Sequence, residues 1–354
     1  MNKFNLKKSI IGGQSKVYFI ADIAANHDGS LQRALKLIEL AKKSGADAAK
    51  FQHHNVKKYV SDIGFKNLKK KISHQKKWKK SIFEVYKDAE VPTIWTKALK
   101  KKCNQIGIDF FSTPYDLDMV DHLNPHVNAF KIGSGDVAWN DMLRKVASKK
   151  KPVFFATGAA DLEEVKNAYK IINRLNKKIC IMQCNTNYTG SLDNFNYINL
   201  NVLKKYKKLF PNAIIGLSDH TPGHETVLGA IALGIKVVEK HFTDDISRNG
   251  PDHPFSMDPK TWKEMVVASR KLESAMGDGK KKVEKNELDT VVLQRRAVRC
   301  VNNINKGKKI NFNDFEFQRP CPKDALKPND LKQFIGKKIK RTLSIGNYLK
   351  KSYF

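Results

Sequence analysis

Ile214 to Phe242 reads IIGLSDHTPGHETVLGAIALGIKVVEKHF. Ile214–Leu217 is an apolar run of strand length, and Pro222 and Gly223 mark the turn that follows it. Val227–Leu233 carries apolar residues at helical spacing, with Gly234 just past the helix end, where a left-handed backbone is favoured. Val237 and Val238 begin a second buried strand. The stretch is therefore strand, loop, helix, strand, with His220 just past the end of one strand and His241 at the end of the next. Neighbouring parallel strands lie about 4.8 Å apart, so two imidazoles at the same end of such strands can share one metal ion. Spacing alone does not distinguish such a pair from two core histidines. The fold has to bring them together.

Working outward, the same alternation recurs. Val17–Ile23 reads as a buried strand, Asn26–Ser30 as a turn, and Leu31–Lys43 as a helix capped by Ser30, with its apolar positions on one face and Gly45 at its end. Ala46–Gln52 is a second strand, followed by a longer polar insertion and a helix around Thr93–Ile106. Asp109–Thr113, Ala129–Ile132, Val153–Thr157 and Ile179–Cys184 are strands three to six. Ile214–Phe242 supplies seven and eight, and a helix from Pro259 to Met276 closes the unit. Eight short apolar strands alternating with helices over about 260 residues predict an α/β fold of the (β/α)8 TIM-barrel kind. An open doubly wound sheet is the competing arrangement, but no glycine-rich dinucleotide fingerprint follows any strand. The expected organisation is a barrel over residues 1–276, a polar linker over 277–294 and a small second unit over 295–354, poor enough in apolar residues to lean on a partner surface.

The chain has 354 residues and 41% hydrophobic content, enough for a large core and a small extra domain. No apolar run approaches the ~18 residues of a membrane helix, and the amino terminus lacks an apolar secretion core. Five cysteines without a CxxC pair fit free thiols and a cytoplasmic setting. The formal charge of +31 is carried by lysines scattered over helices and loops, with clusters at Lys69–Lys71, Lys76–Lys80 and Lys280–Lys282. That pattern reads as a solvated surface that attracts small anions, and no nucleic-acid module accompanies it.

The polar residues carry the chemistry. Asp22, Lys50, Gln52, Thr113, Lys131, Ser134, Asn185, Ser218, His220 and His241 all fall at or beyond the carboxyl ends of strands, the rim on which barrel enzymes place their sites. Each would cost desolvation if left unpaired, so packing does not account for the set. Two lysines with hydroxyls around them suit an anionic, oxygen-rich ligand such as a phosphate or carboxylate. A metal held by histidines beside them suits a phosphorylated acid meeting a polarised carbonyl.

The motifs ADIAANHDGS, KFQ, FFSTPYD, FKIGSGD, IGLSDHTPG, EKHFTDD and GPDHPFSMDP, in this order, resemble those of the sialic acid synthases. The resemblance runs from about Tyr18 through the barrel into the last 60 or so residues, which resemble that family's antifreeze-like (SAF) domain. It implies condensation of phosphoenolpyruvate with an N-acylated aminosugar to a nonulosonic acid and phosphate, a divalent metal (Mn2+ or Mg2+) and a domain-swapped homodimer. By motif, it makes His220 and His241 metal ligands. Lys50, Thr113, Lys131, Ser134 and Ser218 would hold phosphoenolpyruvate, with Asn185 in the same substrate set. Asp22, Tyr188, Asp252 and Arg319 would face the sugar, with Gln52 and Glu239 nearby. Two positions depart from the family: Asp22 stands where Glu is usual, and the sixth strand ends in CNTNYTG rather than a CTNIYP type. Both bear on which sugar is taken, N-acetylmannosamine or a diacetamido-trideoxyhexose. The competing readings are another phosphoenolpyruvate-dependent sugar-acid synthase, whose phosphorylated sugar needs rim arginines, and a non-catalytic carbohydrate or nucleic-acid binder.

Overall fold

The computed structural model describes residues 2–68 and 73–354; the lysine cluster Lys69–Lys71 lies outside the described residues. The chain divides into two compact units, Met1–Gly277 and Asp278–Phe354.

The first unit opens with an antiparallel hairpin of β1 (Lys3–Asn5) and β2 (Ile10–Gly12). Then come β3 (Tyr18–Asp22), α1 (Leu31–Lys43) and β4 (Ala48–His53). An insertion carries α2 (Val56–Tyr59), α3 (Asp62–Asn67) and α4 (Ile82–Asp88). Strand and helix alternate thereafter: α5 (Thr96–Ile106), β5 (Asp109–Pro114), α6 (Leu117–Leu123), β6 (Ala129–Ile132), α7 (Asn140–Ser148) and β7 (Val153–Ala156). They continue through α8 (Leu162–Leu175), β8 (Ile179–Cys184), α9 (Val202–Leu209), β9 (Ile214–Asp219), α10 (Glu225–Ala232), β10 (Val237–His241) and α11 (Pro259–Ala275). Strands β3 to β10 close into a parallel barrel, β10 pairing with β3. The eight strands expected from sequence are these eight, and the barrel is confirmed over the open sheet.

Local chemistry sets the element ends. Ser30 accepts from the backbone N–H of Arg33 at the start of α1, and Asp161 and Asp258 cap α8 and α11, each satisfying amides the helix leaves free. Gly107 ends α5 and Gly234 follows α10, both at positive φ, a conformation that costs glycine least.

Side chains alternate across each strand with period two. Phe19 and Ala21, or Val238 and Phe242, face the helices in one apolar cluster, whereas Tyr18, Ile20 and Val237 fill the barrel interior in another. The N-terminal stretch, which precedes the first strand expected from sequence, adds Phe4, Leu6 and Ile11 to that interior cluster, with Phe4 edge-on to Phe154 at 5.8 Å. The hairpin thus plugs the amino-terminal end, leaving the other end for the polar residues.

The second unit contains α12 (Leu288–Gln294) and an antiparallel pair, β11 (Ala297–Cys300) and β12 (Phe315–Gln318). Residues 278–294, expected as a linker, cluster with this unit, and Val292 of α12 accepts from the backbone N–H of Cys321 at 2.8 Å. Val298, Ile304, Ile310, Leu326, Ile339 and Leu349 are among the residues that give the unit a core of its own. Among the described residues no helix is long and apolar enough to cross a membrane.

Phe4→Ala, which opens the plug without touching the mouth, is expected to lower unfolding free energy by about 3 kcal/mol in a denaturant titration. A loss within error of zero would mean that the hairpin does not help close the core.

Candidate active site

The inward positions of the barrel change character along its axis. Below lie Tyr18, Ala48, Phe111, Ala129, Ile214 and Val237; two or four residues further along the same strands come Asp22, Lys50, Thr113, Lys131, Ser218, Glu239 and His241, all buried. Buried charge survives only when paired, and here it is. Lys50 Nζ lies 2.7 Å from Asp22 Oδ2 and 3.4 Å from Glu239 Oε1. Lys131 Nζ donates to Glu239 Oε1 at 2.9 Å and Ser218 Oγ donates to the same oxygen at 3.2 Å. Gln52 Nε2 donates to Asp22 Oδ2 at 3.1 Å. Burial alone would raise Glu239, but Lys131 and then Lys50 outweigh it and hold the carboxyl down at about 2. Lys50, which burial would lower, is instead raised by Asp22 and Glu239. Two lysines and two carboxylates therefore neutralise one another, while Glu239 Oε2 and Thr113 Oγ1 are buried without a hydrogen-bond partner.

His220 and His241 stand side by side, ring centroids 5.3 Å apart. His220 Nδ1 lies 2.9 Å from the Asn185 carbonyl oxygen; a carbonyl only accepts, so Nδ1 carries a proton, and in the neutral ring Nε2 keeps the lone pair. Burial would lower this imidazole, but Cys184, then the Asn185 carbonyl, raise it. His241 Nε2 is 3.6 Å from Asp22 Oδ2 and Nδ1 is 3.9 Å from Asp252 Oδ2, too long for hydrogen bonds, and Nδ1 is buried without a partner. Burial lowers His241 against the pull of Asp22 and Asp252, favouring the neutral imidazole. Tyr188 covers the pair, its ring 4.5 Å from His220 and 6.1 Å from His241. Among the described residues no cluster of three or more His, Cys, Asp or Glu side chains is arranged to hold a metal. The histidines are a two-donor set.

Asp252 accepts from the backbone N–H of Ala25 at 3.0 Å, which ties the loop after β10 to the loop after β3. His253 Nε2 and Asp28 Oδ1 at 2.9 Å, Arg248 on Asp28 and Arg33 on both Asp28 and Asp244 brace the same two loops.

The remaining expected residues divide. Ser134 Oγ accepts from the backbone N–H of Gly158 at 3.1 Å beside β6. The Asn185 side chain is turned to the Tyr197 carbonyl at 3.4 Å, so its contribution to the cluster is its own carbonyl, which holds His220. The neighbouring Thr186 hydroxyl is the one that is buried and unpartnered, and a Cβ on Gly158 would stand 1.9 Å from it. Arg319 belongs to the second unit, exposed, with Nε donating to the Gln294 carbonyl at 2.7 Å.

Sequence reading missed three features. Asp136, in the turn after β6, has a buried oxygen without a partner, and burial pushes its carboxyl up to about 6; the FKIGSGD motif contained it. Thr186 was visible only as one of three polar residues in CNTNYTG. The insertion read as polar folds around Val56, Val60 and Ile82 with Tyr59, Trp78 and Tyr86 against them. Those aromatics line a pocket with Gln52, Tyr115, Tyr188 and His241; their occurrence in a lysine-rich stretch was the available signal.

A closed parallel barrel with paired charges and two histidines at one mouth defines a barrel enzyme of the kind that handles anionic substrates. Residues 37–281 match the NeuB family model, and the chain belongs to that family, the sialic acid synthases. It is 35% identical over 332 residues to the N,N'-diacetyllegionaminic acid synthase of Campylobacter jejuni, covering 91% of this chain and 95% of that one. It is 31% identical over 330 residues to the human N-acetylneuraminate-9-phosphate synthase, covering 93% and 90%. The N-acetylneuraminic acid synthetase structure from Leptospira borgpetersenii superposes with a TM-score of 0.72 at 27% identity, over 82% of this chain and 95% of that one.

Because the Glu239 carboxyl is depressed to about 2, its contribution to stability is complete above the unfolded value near 4.3 and is lost as pH falls through about 2. The difference in unfolding free energy between wild type and Glu239→Gln is therefore expected to be flat above about pH 5 and to shrink below it. A difference independent of pH in that acid range would show that Glu239 is not held ionised by the lysines.

Proposed function

We propose that the protein condenses phosphoenolpyruvate with an uncharged N-acylated aminosugar, giving a nonulosonic acid and inorganic phosphate. The observation that carries this reading is the neutral cluster of Lys50, Lys131, Asp22 and Glu239 next to the histidine pair. An entering dianion can take over the lysines at little cost, because they are already gathered and desolvated. Lys50 and Lys131 would then hold phosphoenolpyruvate, with Thr113, Ser134 and Ser218 donating hydroxyl hydrogens. The relatives' names put the same class of product on this family.

The donor set fits a divalent cation: His220 has a free Nε2, His241 has no hydrogen bond to break, and a two-donor set leaves positions for water and substrate. Mn2+ or Mg2+ held there would supply Lewis acidity to the sugar's open-chain aldehyde. The chain's own residues do the rest. The lysines hold the enol phosphate so that its C3 can bond to the aldehyde carbon, whose oxygen becomes a hydroxyl by taking a proton. Water adds at C2, and the C2–O bond to phosphate breaks. Asp136, buried with a carboxyl near 6, suits proton transfer around neutral pH. Asp22, Gln52 and Asp252 supply acceptors and donors for sugar hydroxyls, and Tyr188 excludes water.

The sugar pocket supports the uncharged choice. Its described lining includes Tyr59, Trp78, Tyr86, Tyr115 and Tyr188 and no lysine or arginine, surfaces suited to methyl and ring C–H groups rather than to a phosphate. A diacetamido-trideoxyhexose, with two N-acetyl methyls and a deoxygenated C6, fits these walls better than N-acetylmannosamine or its phosphate. Phosphate release from phosphoenolpyruvate over a panel of these three sugars is expected to rank them in that order. It is also expected to stop in excess chelator and in His220→Ala or His241→Ala with the fold intact by circular dichroism. Preference for the phosphorylated sugar, or full turnover in chelator, overturns the reading.

The second unit is read as the antifreeze-like domain of the family, docking on the partner's barrel in a swapped homodimer so that Arg319 reaches the sugar's N-acyl carbonyl in trans. Loss of that charged hydrogen bond would cost about 1.5–3 kcal/mol in transition-state binding. Inactive Arg319→Ala and His220→Ala chains, refolded together, are expected to regain activity, since one mixed site is then intact. Mixed dimers that form and stay inactive would put Arg319 outside the partner's site.

A further inference from the structure

Behind the two histidines, on the face of the sheet turned to the helices, lies an ion pair that the chemistry above does not use. Along β10, Val237, Glu239 and His241 point into the barrel and Val238, Lys240 and Phe242 point away from it; along β9, Ser218 points inward and Asp219 outward. Lys240 and Asp219 are opposite one another in the β9–β10 register. Each immediately precedes one of the two histidines. Lys240 is 1% and Asp219 2% exposed, among mostly apolar neighbours.

Every polar atom of the pair is engaged. Lys240 Nζ donates to Asp219 Oδ2 at 2.5 Å and to the Thr221 carbonyl at 2.6 Å. Asp219 Oδ2 also accepts from Thr226 Oγ1 and Thr221 Oγ1, each at 2.8 Å, and Oδ1 accepts from the Thr221 backbone N–H at 3.3 Å. The bonds thus grip the residues on both sides of His220, the first turn of α10 and the strand position next to His241.

We propose that the Lys240–Asp219 pair is a positioning device that fixes the two imidazoles relative to each other, resting on the reading of His220 and His241 as the divalent-cation ligands. Stability alone does not explain it. A buried ion pair loses to desolvation much of what it gains, and well-packed apolar side chains of similar volume often replace such pairs without loss. What an apolar pair lacks is direction. The turn Asp219–His220–Thr221 crosses the strand end where ladder hydrogen bonds stop, so nothing in the sheet itself orients His220. The Asp219 carboxylate and the Lys240 ammonium, each bonded to Thr221, supply that orientation, and the Asn185 carbonyl sets the ring from the other side.

The double variant Asp219→Asn/Lys240→Met removes both charges and leaves no unpaired ion. It is compared with wild type and His220→Ala by thermal melting, by calorimetric titration of the metal-free protein with Mn2+, and by steady-state kinetics. A positioning role gives a melting temperature near wild type, Mn2+ binding weakened by about 10- to 100-fold, as when supporting shells of ligating histidines are cut, and reduced kcat with little change in KM for phosphoenolpyruvate. Wild-type Mn2+ affinity and kcat in the double variant would overturn the proposal while leaving the histidine reading intact. A wild-type protein that binds no Mn2+, or binds it as well in His220→Ala, would instead overturn the histidine reading and this proposal with it. Should the double variant fail to fold, Thr226→Val removes one hydrogen bond to Asp219 at nearly constant volume. It is expected to weaken Mn2+ binding several-fold, and unchanged binding and kcat would overturn the proposal.

Discussion

The mouth of the barrel depends on Glu239. One carboxylate oxygen, Oε1, receives Lys131, Lys50 and Ser218; without it Lys131 would lose its buried carboxylate and Lys50 would keep only Asp22. Burial makes that arrangement costly and therefore sharply defined: few geometries satisfy three donors at one oxygen. Glu239 sits two residues before His241 on the same strand face, so the position that gathers the lysines also places the imidazole. Charge pairing and histidine placement are consequences of one strand's register.

The outward face of the same strand solves a different problem. Its register partner there is Asp219, and a second buried ion pair ties the strand to the turn that carries His220. Front and back of β10 thus carry separate polar networks through a wall one residue thick, kept apart by the apolar side chains above and below. Further out, the loops after β3 and β10 are cross-braced by Asp28, His253, Arg248, Arg33 and Asp244. The loop bearing Asp252 is held by this charge network together with buried Phe255, whose ring lies 4.9 Å from that of His241.

The sugar side is built differently. It draws on the insertion after β4, whose aromatic residues pack on one another and on Tyr115, with His74 of the same segment edge-on to Tyr188 at 5.1 Å. The anion cluster is set by the inward positions of the strands, whereas this wall is set by how an irregular segment folds back over the mouth. Substrate choice can change in such a segment while the barrel strands stay as they are.

The part of the fold legible in the amino-acid order rests on local periodicity. Apolar runs of strand length, helices with an apolar stripe, and caps and glycines at their ends were all readable, because each depends on residues a few positions apart. The eight barrel strands were found to within about two residues, the usual scatter of such boundaries, and the polar residues at their carboxyl ends marked the mouth. Asp22, Lys50, Lys131, His220 and His241 could be singled out for the same reason: charged and polar side chains at the ends of buried runs stand out against their neighbours, whereas Glu239, in the middle of its strand, was indicated only by the family resemblance. Only tertiary structure decided which of them meet. That Glu239 bridges two lysines from other strands, that Lys240 turns away from His241 to reach Asp219, and that Thr186 rather than Asn185 keeps a buried free hydroxyl all depend on strand order, register and facing across the closed barrel. The N-terminal plug and the aromatic wall escaped sequence reading because short strands and irregular turns carry little periodicity, and their apolar residues acquire meaning only from the surfaces they cover.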